Sequence, residues 1–305
     1  MSTQYGRFQS FCRDQGNLNP VNPVCNLFLL APNSPTTEFP GGCTLQGIPL
    51  SGGRRLANLG AIIIDAIALL VCAFLFWRSN RKRAAVGRRE MQLFLIGYML
   101  ISICEIFTVG GFPLDSVVRR AFTAIHIAAV TATSWILLMN GAVGYQVLDD
   151  GTFLSLGLIF GSAAILFVGT GYIALDTGFS WTGFWDDTLD PALQNRSYSL
   201  YTLYLLVPLV FIFIFFLLEA NLVLRVLGER RPMIYLVAAA LLFAIGQVFQ
   251  FVVSVYICDG TNGAINGGLF QTLFNLAAVV TIWVFWSSIT EDDWPIPVTG
   301  SSTYT

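Results

Sequence analysis

The chain of 305 residues is 55% hydrophobic and only 11% charged, with a mean hydropathy of +0.69, whereas soluble domains carry about 25% charged residues. That composition describes a polytopic membrane protein. The net charge is −2 at pH 7, and the basic residues fall between apolar runs, which excludes a nucleic-acid groove.

Residues 1–58 are polar and proline-broken, and they carry Cys12, Cys25 and Cys43. They contain no basic segment followed by an apolar core of signal-peptide length, so no cleavable signal is expected and the first span directs insertion. After them, a bilayer core of roughly 30 Å takes about 20 apolar residues in a helix. Seven windows qualify: Leu59–Trp77, Met91–Phe112, Ala121–Tyr145, Phe153–Leu175, Tyr201–Leu224, Met233–Ile257 and Leu269–Ile289. The expected fold is all-α, a seven-transmembrane-helix bundle over residues 59–289. A lumenal cap, 1–58, precedes it and a cytosolic tail, 290–305, follows it.

Orientation follows from "WRSNRKRAAVGRRE" after the first span, where Arg78, Arg81, Lys82, Arg83, Arg88 and Arg89 crowd one short loop. Such a loop stays cytosolic. Arg225, Arg230 and Arg231 fall on the same side, while Arg54, Arg55, Arg119 and Arg120 fall on the other. The sequon Asn195-Arg196-Ser197 then sits in a lumenal loop, a candidate glycosylation site. Cys12, Cys25, Cys43 and Cys258 share that side, where disulfides persist. They are disulfide candidates with three pairings open; Cys72 and Cys104 lie inside spans.

Ionisable residues inside spans are functional candidates. Counting about 1.5 Å per residue from the lumenal ends, Asp65, Glu105, His126, Gln250 and Asn275 lie at roughly 8–11 Å depth on five different helices. They are read as one intramembrane polar layer, with Glu105 and His126 as the expected direct pair. Such a layer serves either as glue between helices or as a ligand pocket or proton pathway. Near the cytosolic ends, Asn140, Glu219 and Asn221 read as structural anchors, with Glu219 reaching Arg225 or water. Gly157 and Gly161 form a GxxxG, a helix-packing motif for internal packing or for a partner. Phe179, Trp181, Phe184 and Trp185, beside Asp186 and Asp187, read as an interfacial aromatic belt or a partner-binding face.

Enzyme readings fail on the inventory. The chain has one histidine, His126, and its single lysine, Lys82, lies in a loop, so His-rich metal sites and a retinal Schiff base are excluded. No catalytic residue, cofactor or metal is expected.

The N-terminal "SFCRDQGNLNPVNPVCNLF", with its cysteine pair ending in Pro23-Val24-Cys25, followed by seven spans without a soluble domain, resembles the fungal chitin synthase export chaperones. The resemblance covers nearly the whole chain. It implies a multi-pass protein of the endoplasmic reticulum membrane, a chitin synthase as membrane client, a role in the client's folding and export, and no enzymatic activity. The residues point the same way, since a processive glycosyltransferase needs a cytosolic domain with acidic metal motifs and a Gln-x-x-Arg-Trp site, neither of which occurs. Glu291-Asp292-Asp293 in the tail is a candidate contact for the export machinery. The competing reading is a seven-span receptor or small transporter using the polar layer as ligand site. The third span ends "MNGAVGYQVLDD" without an acidic-Arg-Tyr run, the seventh lacks Asn-Pro-x-x-Tyr, and no pair of broken helices marks corresponding halves.

Overall fold

Hydrocarbon offers no water to a polar backbone, so apolar runs that cross it fold as helices. The computed structural model describes residues 5–8, 12, 23–29, 43, 45–49, 55–109, 115–146, 150–185 and 196–290. A one-turn helix α1 (Cys25–Leu29) and a small antiparallel pair, β1 (Ile48–Pro49) with β2 (Arg55–Leu56), precede the bundle. The bundle is α2 (Leu59–Arg81), α3 (Arg88–Val109), α4 (Ser116–Val143), α5 (Phe153–Phe179), α6 (Tyr198–Leu227), α7 (Arg231–Gly260) and α8 (Gly267–Ile289), seven helices long and apolar enough to cross a membrane.

Helices run past the apolar windows where charged residues find partners. The α2 helix continues to Arg81 because Arg78 and Arg81 lay their guanidinium groups over Trp283 and Trp77, at 5.6 and 3.9 Å from the ring centroids. At the opposite end, α4 starts at Ser116, ahead of Ala121. There Arg120 Nη1 donates to Gly178 O at 2.6 Å while its guanidinium covers the Phe179 ring. Charge that is stacked and bonded does not interrupt a helix.

The helix α4 is the axis of the molecule: 72% of its most apolar window is buried, against 17–39% for the other six. Its sequence explains why. Ala124, Ala128, Ala129, Ala132, Thr131, Thr133 and Ser134 give it a narrow cross-section, and small residues let helices approach closely where no hydrophobic force drives them together. Helices α3, α5 and α6 all pack on it. From α4 the ring runs through α6, α7, α8, α2 and α3 back to α4, leaving α5 outside, and α6 and α7 pack only sparingly on each other.

Two glycines set the α7–α8 contact. A Cβ on Gly246 would meet Asn275 Oδ1 and Phe274 Cβ at 3.3 Å, and one on Gly267 would fall on the Phe249 carbonyl oxygen and within 2.7 Å of Ser254 Cβ. Gly267 N donates to Ser254 Oγ at that contact. By contrast, Gly157 and Gly161 face nothing: a Cβ on either has open space within 4 Å. Their GxxxG therefore packs no helix among the described residues, because α5 meets α4 with its other face; the partner alternative is what remains of that reading.

The end carrying residues 82–87 is clasped by polar contacts that the sequence did not signal. Buried Glu90 accepts through Oε1 from Gly151 N at 2.9 Å and Ser155 Oγ at 3.2 Å, while Asn140 Nδ2 donates to the Glu90 carbonyl at 3.2 Å. Asp150 Oδ2 accepts from Gly87 N, and Trp286 Nε1 donates to Val86 O. Asn221 Nδ2 donates to Tyr145 Oη, whose hydroxyl donates to Leu218 O. Glu219 corrects an expectation: it is buried, its Oε2 has no partner, and it forms no ion pair with the exposed Arg225. The helix turns its side chain inward, toward Gly141 on α4.

These glycines make a paired prediction. In detergent melts, Gly267→Ala is expected to lose about 1–3 kcal/mol from overpacking against backbone. Gly157→Ala is expected to stay within about 0.5 kcal/mol of the parent. Equal stability of the two variants would contradict the α7–α8 packing.

Candidate functional site

Two structures meet at the end of the bundle opposite the 82–87 turn, a cap and a polar cavity. The cap is an apolar plug. Phe8, Cys12, Val24, Cys25, Leu27 and Phe28 bury themselves against Ala124 and Ile127 of α4, Ala174 of α5 and Leu200 of α6. Asn26, fully buried, donates through Nδ2 to Thr108 O and Thr123 Oγ1 at 3.3 and 3.0 Å, joining α1 to α3 and α4. Ser197 N donates to Gly6 O, and the Tyr5 ring lies 4.9 Å from that of Tyr201.

The cysteines of this end form two bridges. Cys12 joins Cys25 with Cα atoms 5.8 Å apart, and Cys43 joins Cys258 at 6.0 Å, both within the usual range of 4.4–6.8 Å. The second spans 215 residues of sequence and ties the segment before α2 to the end of α7. Gln46 N donates to Gly263 O beside it. Cys72 and Cys104 are buried and free.

Below the cap lies a cavity of about 310 Å³ walled by α3, α4, α6, α7 and α8, with Pro23 of the cap at its rim. Glu105, His126, Gln250 and Asn275 line it, joined by Tyr98, Tyr204, Gln247 and Gln271. Asp65 does not line it; it is fully buried on α2, beside Ser102 and close enough to Glu105 for the two carboxylates to interact. The expected Glu105–His126 pair does not form. Glu105 Oε1 accepts instead from Thr272 Oγ1 of α8 at 3.2 Å, and the His126 ring stands edge-on to Tyr204 at 6.4 Å with Nδ1 unbonded. Packing of α3 on α4 brings the helices together without turning those two side chains toward each other.

Local helix geometry aims the wall. Each of α6 and α7 contains a π-helical stretch at the cavity, Tyr201–Leu206 and Phe249–Val253, a feature that recurs at functional sites. In the first, Val207 N donates to Thr202 O, five residues back. The next donor in that register is missing because Pro208 has no N–H. Thr131 Oγ1 of α4 replaces it, donating to Leu203 O at 2.9 Å. The wider turns carry Tyr204, Leu205, Gln250 and Phe251 onto the wall.

Sequence reasoning missed Tyr98, Tyr204, Gln247 and Gln271. The signal for two of them was helical spacing: Gln247 is one turn from Gln250, and Gln271 one turn from Asn275, so each pair shares a face. Trp181, Phe184 and Trp185 are described and largely outward, with Trp181 and Phe184 exposed. Asn195, Asp186, Asp187 and Glu291-Asp292-Asp293 lie outside the described residues. Chemically, the site offers a half-buried carboxylate and hydrogen-bonding side chains in an otherwise apolar cavity. It suits recognition of a polar group inside a membrane.

Residues 4–300 match a family model described as chitin synthase export chaperone. The chain is 30% identical over 291 residues to the chitin synthase export chaperone of Coccidioides immitis, an alignment covering 95% of this chain and 83% of that one. To the protein of the same description from Aspergillus fumigatus it is 31% identical over 293 residues, covering 95% and 84%. For that of Neurospora crassa the values are 28% over 296 residues, 95% and 78%. No solved structure matches.

Non-reducing mass spectrometry is expected to recover the Cys12–Cys25 and Cys43–Cys258 peptides and to find Cys72 and Cys104 reduced. A disulfide contributes about 2–4 kcal/mol, more for a longer closed loop. Cys43→Ser should therefore lower the melting temperature more than Cys12→Ser, and free thiols at all four positions would remove the covalent cap.

Proposed function

The chain belongs to the chitin synthase export chaperone family, and on that premise we propose that it is a client-specific membrane chaperone, needed for a chitin synthase to fold and leave the endoplasmic reticulum. The observation that carries the proposal is the reach of the family match, residues 4–300, which takes in cap, bundle and tail together. The chaperone works without catalysis. Its client has many spans, and each polar group left unsatisfied in hydrocarbon costs several kcal/mol until the client's own helices assemble. A bundle with hydrogen-bonding side chains at membrane depth offers such groups a temporary partner.

The cap end faces the lumen and the C-terminus the cytosol. Support comes from the charge distribution, since Arg78, Arg81, Lys82, Arg83, Arg88, Arg89, Arg225, Arg230 and Arg231 gather at one end of the bundle, as cytosolic ends require. The bridged cysteines lie at the other end, the oxidising side. Asn195, after α5, is then a lumenal glycosylation acceptor, and the tail carrying Glu291-Asp292-Asp293 is available to export machinery. Seen this way the cap has one purpose, to hold the lumenal helix ends that frame the cavity.

Deleting the gene should leave the synthase made at normal levels but retained and aggregated in the endoplasmic reticulum, with wall chitin reduced and general secretion intact. Fluorescence of a tagged synthase and a chitin assay measure this. Normal delivery of the synthase to the plasma membrane with chitin still reduced would replace export by activation at the surface. For topology, a C-terminal tag should be digested by protease added to sealed microsomes, and its protection would reverse the orientation.

A further inference from the structure

The cavity has a charge signature and a doorway, and together they specify an occupant. Glu105 on its wall and Asp65 close to it are carboxylates that form no ion pair with a lysine or arginine among the described residues. Other groups at the same level are likewise incomplete: His126, 4% exposed, lacks a partner at Nδ1, and Asn275 lacks one at Oδ1. Acceptors predominate. At about 1.5 Å per residue, Glu105, His126 and Asn275 stand roughly 6–15 Å in from the cap-side ends of their helices. Lipid head groups carry their charges at the interface, whereas a side chain on a neighbouring transmembrane helix reaches this depth.

The doorway lies between α6 and α7, the pair of ring neighbours that touch least. Both helices line the cavity over several turns, and Leu209 on its α6 wall is 48% exposed. The opening is therefore elongated along the membrane normal, the shape of a helix, and apolar apart from its polar end.

Resting on the chaperone reading above, we infer that the α6–α7 opening is the docking site for a transmembrane helix of the client synthase that carries a lysine or arginine, and that Glu105 receives this cation. The synthase helix covers the apolar lips of the opening. Its basic side chain enters the cavity, where Glu105 accepts its hydrogens. An unpaired cation in hydrocarbon is among the groups a nascent polytopic protein can least tolerate, which makes it the natural feature for a folding partner to hold.

The test uses the full-length chain and its synthase co-expressed in cells, with a photo-crosslinking amino acid at Leu209, at Phe243 on the facing lip, or at Leu158 on the outward face of α5. Adducts with the synthase are expected from 209 and 243 and not from 158, and peptide mapping should place them on a synthase helix containing Lys or Arg. Glu105→Gln, which keeps an acceptor for Thr272, should reduce those adducts about thirty-fold or more, the scale for losing one partner of a buried charge pair. Crosslinking in the parent chain stands even if that variant accumulates poorly. Synthase that co-purifies but forms adducts only from 158, or lipid adducts at 209 and 243 with synthase attached elsewhere, would overturn the docking site while leaving the chaperone reading intact. Adducts on a synthase helix without a basic residue would overturn the role of Glu105. A synthase that is present in the membrane yet neither co-purifies nor crosslinks would overturn the chaperone reading itself, and the docking site with it.

Discussion

Within hydrocarbon a polar group can bond only to protein, and that constraint organises this molecule. It is met by substitution, as when Pro208 withholds an N–H from Leu203 and Thr131 of the neighbouring helix supplies a hydroxyl in its place. Trp135 Nε1 donates to Ser162 Oγ at 2.8 Å and Trp283 Nε1 to Ser79 Oγ at 2.7 Å for the same reason. Interhelical bonds of this kind average only about 0.6 kcal/mol each, so they set geometry more than they add stability. Against that background, unbonded atoms of Asp65, His126 and Asn275 lie on or beside one cavity, while that of Glu219 lies at the opposite end of the bundle.

Both ends of the bundle are held more firmly than its middle. At one end two disulfides, the plug of Phe8, Val24 and Leu27, and the bonds of Asn26 join the cap to five helices. At the other, Glu90 binds the start of α5 while Trp286 fastens the 82–87 turn to α8. Between the clasps, α6 and α7 depart from regular α-geometry and pack only sparingly on each other. Tied ends and a loose lateral seam suit a protein that must admit another helix and release it without losing its own fold.

How much of this the sequence disclosed follows from which physics is local. Seven apolar runs of span length identify seven helices, because the bilayer judges each run by itself. The runs fail to report where helices end, since stacking of Arg81 on Trp77 and bonding of Arg120 to Gly178 depend on tertiary neighbours. Helix rotation is likewise a tertiary property. That is why Glu105 meets Thr272 and not His126, and why Gly157 and Gly161 point away from the bundle although the close-packed glycines, Gly246 and Gly267, belong to no GxxxG within a single helix. Glu90 went unnoticed among the arginines of its loop, because a carboxylate at a helix start reads as ordinary surface charge. The π-helical stretches left no mark except Pro208, whose missing donor shows only when the acceptor's new partner is known.

The central claim is that this bundle lowers the tendency of a chitin synthase to aggregate while its polar intramembrane groups await their own partners. Synthesis of the synthase into microsomes that lack or contain this chain, followed by detergent extraction and sedimentation, measures that tendency directly. With the chain present, a larger share of newly inserted synthase should sediment as a soluble, monodisperse species. An aggregated fraction that is the same with and without it, at equal insertion, would contradict the account.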